Sequence, residues 1–177
     1  LLTDELLDFA RGTTRLRPTS TTADRLLELL DREILEQVRL SPINVQIDVR
    51  TSDQFLIDEG RMTRCLANII KNAREVLKDR GDICLTFASR DRGLLISVTD
   101  NGPGIPEQIR GSVFDPFVTF QKRGGTGLGL SIAKSCVEAH GGKIWFDTAS
   151  GTGTTFYVWL PREAKHPSPA ATRAETE

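Results

Sequence analysis

Several residue types are scarce in this sequence, and each scarcity narrows what the chain can do. Its 177 residues include three cysteines, two histidines and one methionine. Cys65, Cys84 and Cys136 are odd in number, widely spaced and without a metal-ligand pattern. They read as reduced core thiols of a cytoplasmic protein, not as a disulfide framework or a zinc site. No apolar run approaches the ~18 residues of a membrane span, and no signal peptide opens the chain. A net charge of −1 gives no support for nucleic-acid or polyanion binding. The only Met stands at position 62, so the chain is expected to be a piece of something longer.

What is present suits one globular domain, with 38% apolar and 27% charged residues. Residues 1–11 have helical spacing, with Leu2, Leu6 and Phe9 on one side. Thr22 or Asp24 can cap a second helix that runs to Val38 and buries Leu26, Leu27, Leu30, Ile34, Leu35 and Val38. Val45, Ile47 and Val49 alternate as a half-buried strand, and 55–57 is a short extended piece. A long helix over 59–78 keeps a 3.6 period through Met62, Cys65, Leu66, Ile69, Ile70, Ala73, Val76 and Leu77. Strands at 83–89 and 94–100 pair as a hairpin. A helix over 127–139 turns Leu128, Ile132, Cys136 and Ala139 inward, and strands at 143–148 and 154–160 follow. Such an order predicts an α+β fold: a mixed, mostly antiparallel sheet with helices layered on one face. The tail beyond Pro161 has too few apolar residues to fold.

The stretch 98–130 interrupts this regular pattern. Two glycine clusters, 100–104 and 124–129, enclose the apolar residues Val113, Phe114, Phe117, Val118 and Phe120. Connections this long are uncommon unless they act as lids, so a mobile lid over a ligand is expected. Asn68 and Asn72 stand one turn apart on the long helix, beside Lys71 and Glu75. They are either solvated amides or oxygen ligands for a hard cation such as Mg²⁺. Asp100 either begins a turn or accepts a hydrogen bond from a ligand's exocyclic amine. The second cluster, GGTGLGL, precedes a helix and can cradle an anion, although it is not a GxxxxGK[ST] P-loop.

In order, the chain carries NIIKN (68–72), DNGPGI (100–105), VFDPF (113–117), GGTGLGL (124–130) and GTGTTF (151–156). This series resembles the N, G1, F and G2 boxes and the later glycine turn of sensor histidine kinase catalytic domains, in the GHKL superfamily. The resemblance implies a two-layer α/β sandwich over 18–161, preceded at 1–17 by the end of a dimerisation hairpin helix and followed at 162–177 by a disordered tail. It implies ATP and Mg²⁺ as cofactors, with Asn72 as metal ligand and Asn68 assisting near the phosphates. Asp100, with Gly102, Gly104 and Ile105, would take the adenine, and Thr154 or Thr155 would help there. Gly125, Thr126, Gly127, Leu128 and Gly129 would close over the phosphates. Phe114 and Phe117 would anchor the lid, and Lys122 or Arg123 would reach the γ-phosphate.

ATP-hydrolysing relatives commonly place a Glu where this chain has Asn68. An amide cannot accept a proton at neutral pH, so ATP should be bound without efficient hydrolysis. Glu75 stands where many members have a basic or aromatic residue, which argues against a phosphate contact there. The resemblance further implies transfer of the γ-phosphoryl to a His on the upstream hairpin, then to an Asp of a response-regulator receiver domain, in a full-length homodimer. No acceptor-His box occurs in the 177 residues. His140 reads as structural and His166 as inert. The alternatives are a nucleotide-sensing module without phosphoryl transfer, and a serine-directed kinase of the same superfamily.

Overall fold

The computed structural model describes residues 16–78, 80–119 and 126–163. The helix expected at 1–11, the lid residues Lys122, Arg123 and Gly125, and His166 in the tail lie outside the described residues.

β1 (Thr19–Thr22) opens the fold and pairs antiparallel with β3 (Gln54–Ile57). The Thr22 hydroxyl accepts the Arg25 N–H at 3.3 Å and caps the helix that follows. That helix, α1, runs through Ala23–Leu30, a π-helical turn Asp31–Leu35 and a last turn Glu36–Arg39. Its Leu26, Leu30, Ile34, Leu35 and Val38 are buried, as their spacing predicts, while Leu27 is half-buried.

β2 (Ile43–Val49), β4 (Gly81–Arg90), β5 (Gly93–Asp100), β6 (Lys143–Ala149) and β7 (Gly153–Pro161) form one sheet in the order β2-β4-β5-β7-β6. Only the β2–β4 pair is parallel. The sheet is therefore mixed and mostly antiparallel, as expected. Alternation puts Ile83, Leu85, Phe87, Leu94, Ile96, Val98, Phe156, Val158 and Leu160 on its covered face. The opposite face carries Leu95, Tyr157, Trp159 and Trp145, which line a shallow groove of about 490 Å³. Trp145 and Tyr157 stack there, with ring centroids 5.2 Å apart.

α2 (Glu59–Leu77) lies across the covered face with Met62, Cys65, Leu66, Ile69, Ile70, Ala73 and Leu77 buried. α4 (Gly129–Ala139) packs beside it. Its buried stripe is Ser131, Ala133, Cys136 and Val137, whereas Ile132 and Ala139 are only half-buried. The expected inward face is thus rotated. Two neighbours, α2 and the sheet, select the Ala133–Val137 edge, and its small side chains permit the close approach. A four-residue helical turn, α3 (Glu107–Arg110), sits among the described residues of the lid stretch.

One carboxylate joins three parts of this layer. Asp58 caps α2 by accepting the Arg61 N–H at 3.1 Å, and its other oxygen accepts the Arg17 N–H at 2.8 Å. The Asp58 N–H itself donates to His140 Nε2 at 3.1 Å. His140 Nδ1 in turn donates to the Cys136 carbonyl at 2.8 Å, so the neutral ring satisfies both partners. His140 is buried and structural in this position. Asp58→Ala should lower unfolding free energy by about 1–2 kcal/mol in urea titrations, whereas Asp58→Asn, which keeps a capping oxygen, should stay near the parent.

Candidate active site

The site is assembled along one edge of α2. Asn68, Asn72 and Val76 succeed one another at single helical turns on that edge, and all three are half-buried. A rise of 1.5 Å per residue separates Asn68 from Val76 by about 12 Å. Each end of the edge meets a different glycine cluster.

At the Val76 end lies the loop after β5. A Cβ at Gly102 would stand 3.2 Å from Val76 Cγ2 and 2.8 Å from Asp100 Oδ1, so the loop fits only because Gly102 has none. Asp100 ends β5 with 3% of its surface exposed, and its Oδ1 accepts the Gly102 N–H at 2.9 Å. Burial holds the Asp100 carboxyl above its ordinary range, and the main-chain N–H groups of Gly102 and Thr154 pull it part of the way back. Gly104, at φ +79°, backs onto the Ala149 carbonyl, which a Cβ would meet at 2.4 Å. Ile105 is half-buried against the core, and its N–H donates to the Thr148 hydroxyl at 2.9 Å.

Strand register decides between the two candidate threonines. Asp100 pairs with Thr154, and Thr154 with Thr148, so these three residues form a row across β5, β7 and β6 on the covered face. The Thr148 and Thr154 hydroxyls are 3.1 Å apart. Thr155 points to the opposite face, where its hydroxyl lies 3.0 Å from that of Thr99. The expectation for Thr155 is therefore corrected in favour of Thr154, because neighbouring strand residues alternate sides. Thr148 escaped the sequence reading altogether. Its only signal is a cross-strand pairing that sequence does not display.

At the Asn68 end lies the start of α4. A Cβ on Gly129 would stand 3.7 Å from the Asn68 side chain, so the helix begins directly over that amide. Leu128 is buried, and its carbonyl accepts the Ser131 hydroxyl at 2.9 Å. The first N–H groups of α4 have no intrahelical acceptors and present a partial positive charge, which suits an anion. Thr126 is exposed just before this turn.

The lid stretch is clasped at its base. The Phe117 N–H donates to the Gly127 carbonyl at 3.0 Å. Gly127 takes φ +69°, and a Cβ there would meet the Phe117 main chain at 2.6 Å. Phe114 anchors the stretch, its ring packed 5.9 Å from Phe146 and 6.2 Å from Phe156. The Phe117 ring does not anchor it. Phe117 adopts φ +65° and is 73% exposed, so its main chain makes the clasp while its ring points to solvent. Lys71 and Glu75 are exposed on α2.

A helix edge with a buried carboxylate at one end and glycine-bounded helix N–H groups at the other defines a nucleotide-binding α/β sandwich. A family model described as "Histidine kinase-, DNA gyrase B-, and HSP90-like ATPase" matches residues 57–164. KinB of Pseudomonas aeruginosa, an alginate biosynthesis sensor protein, is 31% identical over 91% of this chain and 28% of its own length. The sensor histidine kinase WalK of Bacillus subtilis is 43% identical over 59% of this chain and 18% of its own length. Among solved structures, the nucleotide-free catalytic domain of histidine kinase ThkA superposes with a TM-score of 0.75 at 30% identity, covering 84% of this chain and 98% of that domain. Full-length ShkA in complex with AMPPNP gives 0.79 at 28% identity, covering 90% of this chain and 35% of ShkA. The chain belongs to this family, as a catalytic ATP-binding domain of the sensor histidine kinase type. It spans 28% and 18% of the length of these two sensor proteins, respectively.

Because the fold favours the neutral Asp100 carboxyl, the charged form is a local cost. Stability is lost as pH rises from the unfolded carboxyl range through the raised folded value. Asp100→Asn removes the charge, so at pH 7 it should melt at or above the parent temperature. That advantage should disappear in acid, where the parent carboxyl is neutral in both states. The same variant should bind ATP at least tenfold more weakly. A large loss of stability at pH 7 would contradict the burial argument.

Proposed function

We infer that this chain binds ATP along the α2 edge, with adenine at Asp100 and phosphates between Asn68 and the first turn of α4. The observation that carries the reading is the placement of both glycine clusters against the same helix edge, two turns apart. Asp100 accepts a hydrogen bond from the adenine amine, and the Thr154–Thr148 pair holds a polar floor beside it. Gly102 and Gly104 let the main chain approach the base. The Phe117–Gly127 clasp fixes where the lid begins and ends, so closure excludes water from the phosphates.

The donor set suits Mg²⁺ held jointly with the nucleotide. Among the described residues no group of three or more His, Cys, Asp or Glu side chains could hold a metal unaided. Asn72, with Asn68 beside it, offers hard amide oxygens, and phosphates and water supply the remaining ligands such an ion requires. When bound, Mg²⁺ neutralises phosphate charge. Asn72 orients the β- and γ-phosphates, and the α4 N–H groups stabilise their negative charge. Lys122, outside the described residues, is assigned the γ-phosphate contact on the strength of the sequence motif alone.

Asn68 cannot take a proton from water, so the γ-phosphoryl is kept for another acceptor. We assign that acceptor to a His on a dimerising helix hairpin upstream, from which a receiver-domain Asp takes the phosphoryl in turn. The full-length protein acts as a homodimer with this domain in the cytoplasm. A solved complex of ThkA with its response regulator TrrA, which this chain matches at 26% identity, supports the second partner. Transfer of this kind depends mainly on positioning and charge neutralisation.

Calorimetry on the chain with ATP should show binding that weakens at least tenfold when EDTA replaces Mg²⁺. Asn72→Ala should lose that Mg²⁺ dependence while its melting temperature holds, and unchanged binding would remove Asn72 from the metal site. Adding a hairpin that carries the acceptor His should yield acid-labile phosphate. Acid-stable phosphoserine on a partner would overturn the histidine assignment.

A further inference from the structure

Cys65 and Cys136 are 71 positions apart in sequence, yet their thiols share the seam between α2 and α4. Cys65 Sγ donates to the Ala133 carbonyl of α4 at 3.6 Å. Cys136 Sγ donates to the Arg61 carbonyl of α2 at 3.5 Å. Arg61 lies one turn before Cys65, and Ala133 three residues before Cys136. The reciprocal contacts therefore turn each sulfur onto the other's helix and bring the two thiols into the same seam. Cys65 is 1% exposed and Cys136 8%. The Cys136 sulfur also lies 3.9 Å from His140 Nδ1. The neighbouring Cys65 thiol draws the Cys136 thiol below its ordinary range against the opposing effect of burial, while the same pairing and burial push Cys65 up. The third cysteine, Cys84, is half-exposed on the far side of the sheet, outside this pair.

The seam is continuous with the nucleotide edge. Cys65 precedes Asn68 by three residues, and Cys136 follows Gly129 by seven, so the pair lies below the point where α4 begins over Asn68. We propose that Cys65 and Cys136 are an oxidisable pair whose disulfide staples α2 to α4 beneath the nucleotide cleft and weakens nucleotide binding. The bond itself is independent of the nucleotide reading, and only its consequence rests on that reading.

A peroxide supplies the oxidant. The Cys136 thiolate attacks one oxygen of hydrogen peroxide, the O–O bond breaks, and the leaving hydroxide takes the proton that Cys136 gave up as the first water, giving the sulfenic acid Cys136–SOH. The Cys65 sulfur then attacks the Cys136 sulfur, the S–O bond breaks, and the leaving hydroxide takes the Cys65 proton as water. Two thiols and one peroxide give one disulfide and two waters. A disulfide holds its sulfurs at about 2.05 Å and its Cβ atoms roughly 3.5–4.5 Å apart, so the bond fixes the spacing of α2 and α4 at this seam. A fixed seam holds the start of α4 against Asn68, so this end of the edge no longer adjusts to the phosphates that the proposed function places there.

The full 177-residue chain is treated with hydrogen peroxide, alkylated, and mapped by mass spectrometry without reduction. The expected product has lost two hydrogens, contains a Cys65–Cys136 cross-linked peptide, and returns to two alkylatable thiols with dithiothreitol. Cys84→Ser should behave as the parent, whereas Cys65→Ala and Cys136→Ala should each abolish the bond at unchanged melting cooperativity. Calorimetry on the oxidised chain should give roughly tenfold weaker ATP binding, restored by reduction. Cys65 and Cys136 that remain alkylatable after peroxide treatment would overturn the pair. A mapped bond with unaltered ATP affinity would overturn the switch. Failure of the reduced chain to bind ATP would overturn the nucleotide reading and, with it, the proposed consequence, while leaving the bond decided by the map.

Discussion

The apolar stripe of α2 has one place to go. Seven of its side chains, from Met62 to Leu77, are buried in the layer over the sheet, and at about 1.5–3 kcal/mol for a fully buried large side chain this contact outweighs anything at the surface. Burying the stripe fixes the rotation of the helix, and rotation fixes where Asn68, Asn72 and Val76 lie. The two glycine clusters then close on that edge from opposite ends. The first cluster approaches because Gly102 lacks a side chain, since a Cβ there would press on Val76, and in the second the bare Gly127 makes room for the Phe117 main chain. The candidate site is thus a by-product of core packing to which glycine grants access.

Function enters where local stability is given up. Asp100 sits in a row of strand residues that the core would accept as apolar, and its carboxylate is retained at a desolvation cost. Two main-chain N–H groups offset part of that cost and orient the oxygens. Phe117 spends an exposed ring and a left-handed backbone on the lid clasp. These local rule-breakers stand beside a conventional core, a distribution that fits a binding site better than it fits strain spread through the fold.

The elements were legible in the sequence wherever one periodicity met one neighbour. The 3.6 period of α2 predicted its buried face almost residue by residue, and strand alternation marked β2, β4, β5 and β7. Reading failed where the deciding partner is distant in sequence. β1 is a run of Thr and Ser without alternation, and only pairing with β3 makes it a strand. α4 meets two neighbours at once, so Ile132 and Ala139 lost the buried positions that their spacing suggested. Thr148 belongs to the candidate site through a three-strand register, and Thr155 leaves it through the same register. The adjacency of Cys65 and Cys136 arises from helix crossing, which spacing along the chain does not encode.

The central claim is that one helix edge orders the nucleotide, with the Asp100 carboxylate reading the base. Its most direct test compares ATP with inosine triphosphate by calorimetry on the same chain, in Mg²⁺ at neutral pH. Inosine presents a carbonyl oxygen where adenine presents its amine, so it brings an acceptor against a buried acceptor. The account predicts that inosine triphosphate binds at least about 100-fold more weakly, the scale on which an unpaired buried polar group is penalised. Equal affinity for the two nucleotides would contradict it, because the base would then lie somewhere other than at Asp100.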